Sequence, residues 1–429
     1  AIDLQLNQQQ LLATSQELRA TIDEQLFWIP NTRPVGLAWL NHLPENLAME
    51  WREGEWRTIL PTNWRLPNAR ALFGLPVLLV ALGLLAGRRR IRAHLARLHQ
   101  EVGLLKRDSQ GHTPQAVALN ALLALPGPLC VLALGLALLM GAEGMTRGIG
   151  HALLHLALAW AVIAWARNLL FQGGVATRHF YWPPSYAAAL RRWLMWLGVA
   201  LVPVLLIGPL ARDAAIALNQ RPLGLVLLLS GLLAMSLVMS KLILAHVPFF
   251  GVKLFRLIIG LVIALVPLVL AGLIIYGYEY TALSLLGRFV ITLYLLGLWV
   301  LVEATVIRGL AVAARRLAYR RALARRRAQA QEGAEGSLEV VEEPPLDMEQ
   351  VNQQSLRLSK LILLIGFILV LYLVWSDLLS VFSYLEQVTL IEPGEGQAAE
   401  AVASMVSVAD IITALLVVVL TLMMARNLP

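Results

Sequence analysis

The chain has 429 residues, of which 58% are hydrophobic and only 14% are charged. An average soluble protein has about 25% charged residues, so this composition excludes an ordinary soluble domain and indicates a polytopic membrane protein. The net charge of +8 is explained more readily by basic cytoplasmic loops than by nucleic-acid binding. The single cysteine, Cys130, excludes an intramolecular disulfide.

Residues 1–68 precede the apolar part of the chain. They begin "AIDLQLNQQQLLATSQELRATIDEQLFW", which reads as a polar helix and lacks the basic start, apolar stretch and cleavage site of a signal peptide. The chain starts at Ala1 and ends in "LVVVLTLMMARNLP", directly after an apolar run. We therefore expect an inner segment of a longer protein, with residues 1–68 forming an external helical segment and a junction.

Nine apolar stretches follow, each long enough to cross about 30 Å of hydrocarbon as a helix. They lie at 69–87, 116–140, 148–171, 193–210, 222–245, 254–277, 283–308, 358–382 and 408–425. Asn68, Thr113 and Asp410 stand where N-caps of the first, second and ninth stretches belong. The sequence predicts an all-α integral membrane protein with about nine transmembrane helices in hairpins, seven within 69–308 and two within 356–429.

The basic residues fall in alternate connections between these stretches. They are Arg88, Arg89, Arg90, Arg92, Arg97, Lys106 and Arg107 after the first, Arg178, Arg191 and Arg192 after the third, Lys253 and Arg256 after the fifth, and "RRLAYRRALARRR" after the seventh. The other connections contain few bases. Since basic loops remain in the cytoplasm, the N-terminus is predicted to be periplasmic and the C-terminus cytoplasmic.

Tryptophans near the predicted helix ends agree with this orientation, because Trp favours the headgroup layer. The candidate interfacial anchors are Trp64, Trp193, Trp196 and Trp375. Between residues 91 and 108, apolar residues recur at spacings of three and four, which predicts a helix that continues out of the membrane. We expect its apolar stripe to pack on the protein itself, with a position in the lipid surface as the alternative.

The composition changes between residues 309 and 355. An arginine-rich helix is predicted as far as Arg327, and an acidic linker with glycines and a proline pair follows it. Arginines beside the anionic inner leaflet attract its lipids. The candidate contacts with anionic lipids are Arg88, Arg89, Arg90, Arg320, Arg321, Arg325, Arg326 and Arg327. The alternative is that these arginines only enforce the orientation of insertion.

The apolar stretches contain few residues that could carry chemistry. Glu303 could be a proton or cation site, but a carboxylate paired with a base near the inner interface is the simpler interpretation. His151 and His155 lie one turn apart, yet no carboxylate or cysteine accompanies them as a metal ligand. The sequence contains no catalytic or phosphate-binding motif of the common kinds, so we predict neither an enzyme nor a bound cofactor or metal.

Several prolines interrupt apolar stretches, including those of "PGP" at 126–128. Broken helices with polar neighbours would indicate a transporter with inverted repeats. These prolines have no such neighbours, so kinked helices are the simpler interpretation. From its residues alone, the chain is a sensor, a scaffold or part of a channel.

Three segments resemble one family. "LRATIDEQLFWIPNTRPVG" is similar to the junction before the first span of the large MscS-like mechanosensitive channels, of the MscK and YjeP (MscM) kind. "VWSDLLSVFSYLEQVTL", at 374–390, resembles the outer end of a late span and its loop. The terminal "ARNLP" resembles the segment that leads to the last two helices in that family.

The resemblance implies a tension-sensing region in the inner membrane of a Gram-negative bacterium. Two further helices, one lining a pore, and a cytoplasmic vestibule would follow residue 429. The implied partners are membrane lipids, permeating ions and other copies of the chain, in a heptamer. The implied activity is release of ions and solutes on hypoosmotic shock. A secondary transporter or a lipid-handling membrane protein is the alternative.

Overall fold

A computed structural model describes residues 26–53, 69–104, 107–141, 145–213, 218–244, 253–332 and 348–382, together with a few isolated positions. Within these ranges all regular structure is helical, which confirms the predicted all-α class. The chain divides into two compact units. The larger comprises Thr32–Phe367, and the smaller combines Ala1–Asn31 with Ile368–Pro429. The helices and contacts discussed below belong to the larger unit unless stated otherwise.

Residues 26–28 are helical, and twelve further α-helices have their bounds within the described ranges. They are α1 (Leu37–Asn41), α2 (Leu43–Glu53), α3 (Leu75–Glu101), α4 (His112–Ala124), α5 (Pro126–Gly141), α6 (Met145–Leu169), α7 (Val175–Arg178), α8 (Pro184–Asp213), α9 (Pro222–Leu244), α10 (Lys253–Ile275), α11 (Glu279–Glu332) and α12 (Met348–Phe382). Short 3-10 turns occur at Ala69–Gly74 and Leu218–Gln220. The last helix runs from the larger unit into the smaller one.

The predicted transmembrane helices can be compared with these elements. Six described helices, α3, α6, α8, α9, α11 and α12, contain a segment long and apolar enough to cross a membrane, and α4 with α5 form a seventh candidate. In α10 the apolar segment is shorter, Gly260–Ile275. The ninth stretch, 408–425, lies outside the ranges that the structure describes. The multi-pass helical architecture is therefore confirmed, and the count of nine stays a prediction.

Proline sets the bend between α4 and α5. The two helices meet at an angle of 52° around Leu125 and Pro126. Proline lacks the N–H of a helical hydrogen bond and its ring clashes with the preceding turn. Pro203 and Pro209 lie inside α8, and Pro267 lies inside α10. The predicted kink at 126–128 is thus confirmed, whereas Pro76 stands in the first turn of α3, where proline is well tolerated.

The main core forms where α6, α8, α9, α10 and α11 pack together. Leu228, Leu232 and Met235 of α9 are fully buried in it. Gly231 allows α8 to approach α9 closely, because a Cβ at this position would come within 2.8 Å of Pro203. The Ser236 hydroxyl donates a 2.7 Å hydrogen bond to the carbonyl of Ala264, from α9 to α10. Small residues and interhelical hydrogen bonds of this kind hold helices together where lipid offers no hydrophobic driving force.

A second, smaller core forms at the far end of α3. Leu98 is buried there together with Ala116, Leu169 and Val175, and Leu95 packs against them. This arrangement confirms that the apolar stripe of 91–108 packs on the protein itself. It also brings the end of α3, the start of α4 and the end of α6 to one place in the fold.

Candidate functional site: a buried arginine cluster

Three segments that are distant in sequence meet beside this second core. The first joins α3 to α4, the second runs from the end of α6 to the start of α8, and the third is the middle of α11. The chain reverses in the first two segments, where Gly103 and Gly173 adopt φ values of 86° and 73°. Glycine takes these left-handed conformations without steric cost. The reversals place polar side chains of both segments around Arg308.

Arg308 is the centre of the cluster and is almost fully buried, with 6% of its surface exposed. Its Nη2 donates to both carboxylate oxygens of Asp108, at 3.2 and 3.0 Å. Its Nε donates to the Thr113 hydroxyl at 2.7 Å, and its Nη1 donates to the His179 carbonyl at 2.9 Å. The guanidinium therefore binds both other segments at once, using the planar set of donors that lysine lacks.

Asp108 is held in place by its own segment. Its Oδ2 accepts a 3.0 Å hydrogen bond from the backbone N–H of Gly103. His112 lies on the other side of the carboxylate, 4.0 Å away, and its other ring nitrogen is 3.5 Å from Glu101. The arginine and the backbone N–H together satisfy both oxygens of the carboxylate with hydrogen bonds. The result is a buried, hydrogen-bonded ion pair.

His179 completes the cluster as a neutral base. The Thr113 hydroxyl accepts from Arg308, so its proton is available to His179 Nδ1, 3.1 Å away. The imidazole is fully buried, and its ring lies 5.2 Å from that of His99. Burial and, after it, the nearby charge of Arg308 together lower the pKa of His179 to about 3. His179 therefore stays uncharged at physiological pH.

Tyr181 covers the cluster from the outside. Its backbone has a φ of 55°, the only positive value among the described residues other than glycine. The Arg308 guanidinium lies 5.9 Å from the centre of its ring, within the range of a cation–π contact. Burial raises the pKa of Tyr181, but hydrogen bonds from Arg315 and Arg308 to its hydroxyl outweigh this effect and lower the pKa overall.

A second polar cluster lies at the start of α11, about 44 Å from Arg308 along the helix at the rise of an α-helix. The buried Glu279 accepts two hydrogen bonds from the Leu218 N–H, at 3.2 and 3.1 Å. Thr32 donates its N–H to Gly277 at 3.1 Å, and the Trp39 indole donates to Asn219 at 3.0 Å. The segment that precedes the first span is thus attached to two interhelical turns.

Glu50 of α2 extends this attachment to α9. Its Oε2 accepts a 2.7 Å hydrogen bond from the N–H of Leu223, the second residue of α9. The first N–H groups of a helix lack partners within the helix, and a carboxylate there also interacts favourably with the helix dipole. The two polar clusters therefore link the start and the middle of α11 to different parts of the chain.

The candidate lipid contacts lie on exposed surfaces. Arg88, Arg89 and Arg90 of α3 are exposed, as are Arg320, Arg321, Arg325 and Arg327 of α11; the side chain of Arg326 lies outside the description. Among the candidate anchors, Trp196 is 48% exposed, and Trp193 and Trp375 are partly exposed. Trp64 lies outside the described residues. The roles of all these residues as lipid contacts and anchors stay predictions.

The two sites that the sequence offered as candidates for chemistry are Glu303 and the pair His151 and His155. Glu303 is 6% exposed, and the positive charge that influences it is that of Lys360 on α12. Arg308 forms its ion pair with Asp108 instead. His155 Nδ1 lies 2.9 Å from the carbonyl of His151, so this histidine bonds within its own helix. No group of three potential metal ligands occurs within the described ranges.

Sequence reasoning missed the arginine cluster. Thr113 was expected to be the N-cap of a helix, but α4 begins at His112, so Thr113 lies inside the helix. The Thr113 hydroxyl instead forms hydrogen bonds with Arg308 and His179. Asp108 carried a usable signal as one of two carboxylates, with Glu101, in a strongly basic connection. Arg308 carried another, as a charge at the end of an apolar stretch. Their pairing across 200 positions could not be inferred without the fold.

Comparison with known proteins identifies the family of this chain. The model of the mechanosensitive ion channel inner membrane domain 1 matches residues 71–390, which cover the cluster and all of α3–α12. The chain is 35% identical over its whole length to the mechanosensitive channel MscK of Escherichia coli. It is 26% identical to the miniconductance mechanosensitive channel MscM of the same organism and to an uncharacterized MscS family protein of Haemophilus influenzae.

The matches cover 99–100% of this chain but only 38–40% of the length of each relative. The chain therefore belongs to the family of the mechanosensitive ion channel inner membrane domain, in the large MscS-like group that includes MscK and MscM.

Proposed function

We propose that this chain is the membrane-tension-sensing region of a mechanosensitive ion channel that releases ions and solutes on hypoosmotic shock. The observation that carries the proposal is the family match over residues 71–390, since it covers every helix from α3 to α12. A channel that occupies more membrane area when open is favoured by tension. Helices at its periphery move with the lipid and bias the pore.

The two polar clusters suit this role. Tension acts on lipid-exposed helices, and its effect must reach a pore through elements that do not yield. The Arg308 cluster fixes α11 to the α3–α4 and α6–α8 connections, and the Glu279 cluster fixes the turns at its start. In this proposal α11 is the rigid element that transmits helix movement between the two sides of the membrane.

The proposed setting is the inner membrane of a Gram-negative bacterium. Residues 1–68 form a periplasmic segment, residues 309–355 form a cytoplasmic basic helix and acidic linker, and residues 356–429 lead to a pore module. The distribution of basic residues supports this topology. The exposed arginines of α3 and α11 contact anionic lipids of the inner leaflet, and the protein assembles as a homo-oligomer.

Patch-clamp recording in liposomes tests the proposal. The full-length protein should give tension-gated current without any substrate, whereas residues 1–429 alone should insert without conducting, because no described helix is polar enough to line a wide aqueous pore. Substrate-dependent flux without a response to tension would contradict the proposed function. Stretch-activated current from residues 1–429 would place the pore within this chain.

A further inference from the structure

A pocket of about 290 Å³ lies between the end of α6, the turn that follows it and the start of α8. Three arginines line it: Arg167 on α6, and Arg191 and Arg192 on α8. No carboxylate occurs among the described residues of its lining. The volume is at the low end for ligand sites in proteins. The pocket is thus a small, strongly cationic space at the end of two apolar helices.

Two of the three guanidinium groups that line the pocket have an Nε–H donor without an acceptor among the described residues. The Nε atoms of Arg167 and Arg191 are buried, yet neither has a hydrogen-bond acceptor within the part of the chain that the structure describes. Arg191 is oriented by Phe171, whose ring centre is 5.1 Å from its guanidinium carbon. Buried polar groups normally have partners. Phosphate is the acceptor that best matches two or three arginine side chains, because its oxygens accept forked hydrogen bonds.

Apolar surface continues from the arginines along α8. Arg192, Met195, Val199 and Val202 follow at spacings of three and four, which places them on one face of the helix. The three apolar side chains are 37%, 55% and 47% exposed. A soluble phosphate would make no use of this face. A phospholipid would place its phosphate among the arginines and its acyl chains along the face.

We propose that this pocket binds the phosphate group of an anionic phospholipid. By the proposed topology it faces the cytoplasmic leaflet, where anionic headgroups are plentiful and basic pockets between helices bind them. The site is separate from the arginines of α3 and α11 already considered, which lie on open surfaces. The inference rests on the proposed topology, but it does not depend on channel activity.

Native mass spectrometry of the full-length protein tests the proposal. Phosphatidylglycerol, phosphatidylethanolamine or inorganic phosphate is added to detergent-solubilised wild type and to the triple variant R167Q/R191Q/R192Q. The matched control is R33Q/R52Q/R147Q, which removes the same charge from exposed arginines that are given no role in lipid binding. We expect the pocket variant to lower phosphatidylglycerol affinity by about tenfold and the control by less than about twofold. Phosphatidylethanolamine, which carries no net charge, should bind wild type more weakly.

Position is tested with phosphatidylglycerol that carries a photoreactive acyl chain. The label should reach Met195 or Val199 in wild type and in the control, and it should be lost in the pocket variant. Equal loss of lipid in the pocket variant and the control would overturn the proposal, since a general attraction would then suffice. Displacement of the lipid by inorganic phosphate would assign the pocket to a soluble anion. If the triple variant fails to fold, the same labelling is measured with R192Q alone, which changes an exposed residue. Labelling of Met195 and Val199 should then fall, and unchanged labelling would overturn the proposal.

Discussion

At the scale of single residues, the buried ion pair between Arg308 and Asp108 is the contact whose loss should cost the most stability. Taking two charges out of water costs several kcal/mol per ion, and only close pairing and full hydrogen bonding offset that cost. Asp108 and Arg308 have side chains that are 8% and 5% exposed, and they approach to 3.0 Å. Loss of either partner leaves the other as an uncompensated buried charge. The pair is therefore more sensitive to mutation than the many exposed arginines.

The first prediction is that R308Q destabilises the protein by about 3–5 kcal/mol, because Asp108 loses its partner. The loss of stability is measured by thermal unfolding in detergent. The control is R320Q, which changes an exposed arginine of the same helix. The double variant D108N/R308Q should recover part of the loss, since it leaves no buried charge. Equal stability of R308Q and R320Q would show that the ion pair does not hold these segments together.

The second prediction concerns pH. The pKa of His179 is about 3 in the folded protein and 6.5 in an ordinary setting, so the unfolded chain binds more protons between these values. Stability therefore rises with pH in this window and is lost as the pH falls from about 6.5 towards 3, with a slope of up to about 1.4 kcal/mol per pH unit. Denaturant unfolding at pH 4.5–7.5 should show a shallower slope for H179Q than for wild type. Identical slopes would mean that His179 is protonated equally in both states.

At the scale of elements, α11 is the helix on which the two polar clusters depend. It runs without a break from Glu279 to Glu332, so the predicted span at 283–308 and the predicted basic helix after it are one continuous element. A continuous helix transmits displacement along its length because each turn is hydrogen-bonded to the next. The attachments at its start and near its middle therefore decide which parts of the chain move together.

The third prediction tests the attachment of α2 to α9. E50A removes the carboxylate that accepts from the Leu223 N–H and should cost about 1 kcal/mol, the usual value of an N-terminal helix cap. Amide hydrogen exchange in Leu43–Glu53 should become about fivefold faster, since 1 kcal/mol corresponds to that factor. E45A is the matched control, because Glu45 lies on the same helix with an 80% exposed side chain. Similar exchange in the two variants would contradict the attachment.

The fourth prediction concerns the arginines at the end of α11. Changing Arg320, Arg321, Arg325, Arg326 and Arg327 to Gln in the full-length protein should reduce the effect of lipid charge on gating, because each base near an anionic surface contributes about 1 kcal/mol. Arg308, Arg315 and Arg316 remain so that topology is preserved. The measurement is gating tension in neutral and anionic bilayers. An identical response of wild type and variant to lipid charge would mean that these arginines serve insertion alone.

At the scale of the whole molecule, the topology is the property that connects these sites to the two sides of the membrane. All basic connections fall on one side when the predicted helices alternate in direction. In this topology the Arg308 cluster and the arginine pocket face the cytoplasm, while the Glu279 cluster faces the periplasm. The fifth prediction therefore concerns the orientation of the chain.

Single cysteines at positions 45, 217 and 395, in a protein whose Cys130 is changed to Ser, should react with a membrane-impermeant thiol reagent in intact cells. Cysteines at positions 100, 182 and 335 should react only after the inner membrane is opened, because the reagent cannot cross hydrocarbon. Permeabilised cells are the control for accessibility. Reversed labelling at two of these positions would overturn the topology.

Much of the architecture was predictable from local patterns. The helical class, the bend at 126–128 and the packing of the stripe in 91–108 follow from apolar length, proline geometry and helical periodicity, each of which is read within a few turns of chain. The family resemblance also rested on short contiguous segments. These features are local, because a helix in a membrane satisfies its own backbone and needs no distant partner.

The sequence by itself therefore determined that this protein is a bundle of membrane helices, and its basic residues predicted an orientation. Only the tertiary structure decided which polar side chains meet. Arg308 pairs with Asp108 and not with Glu303, although Glu303 is nearer in sequence. Thr113 joins that pair instead of capping its helix. The physical reason is that a buried charge takes the partner that packing brings within about 3 Å, and packing depends on helices that are far apart along the chain.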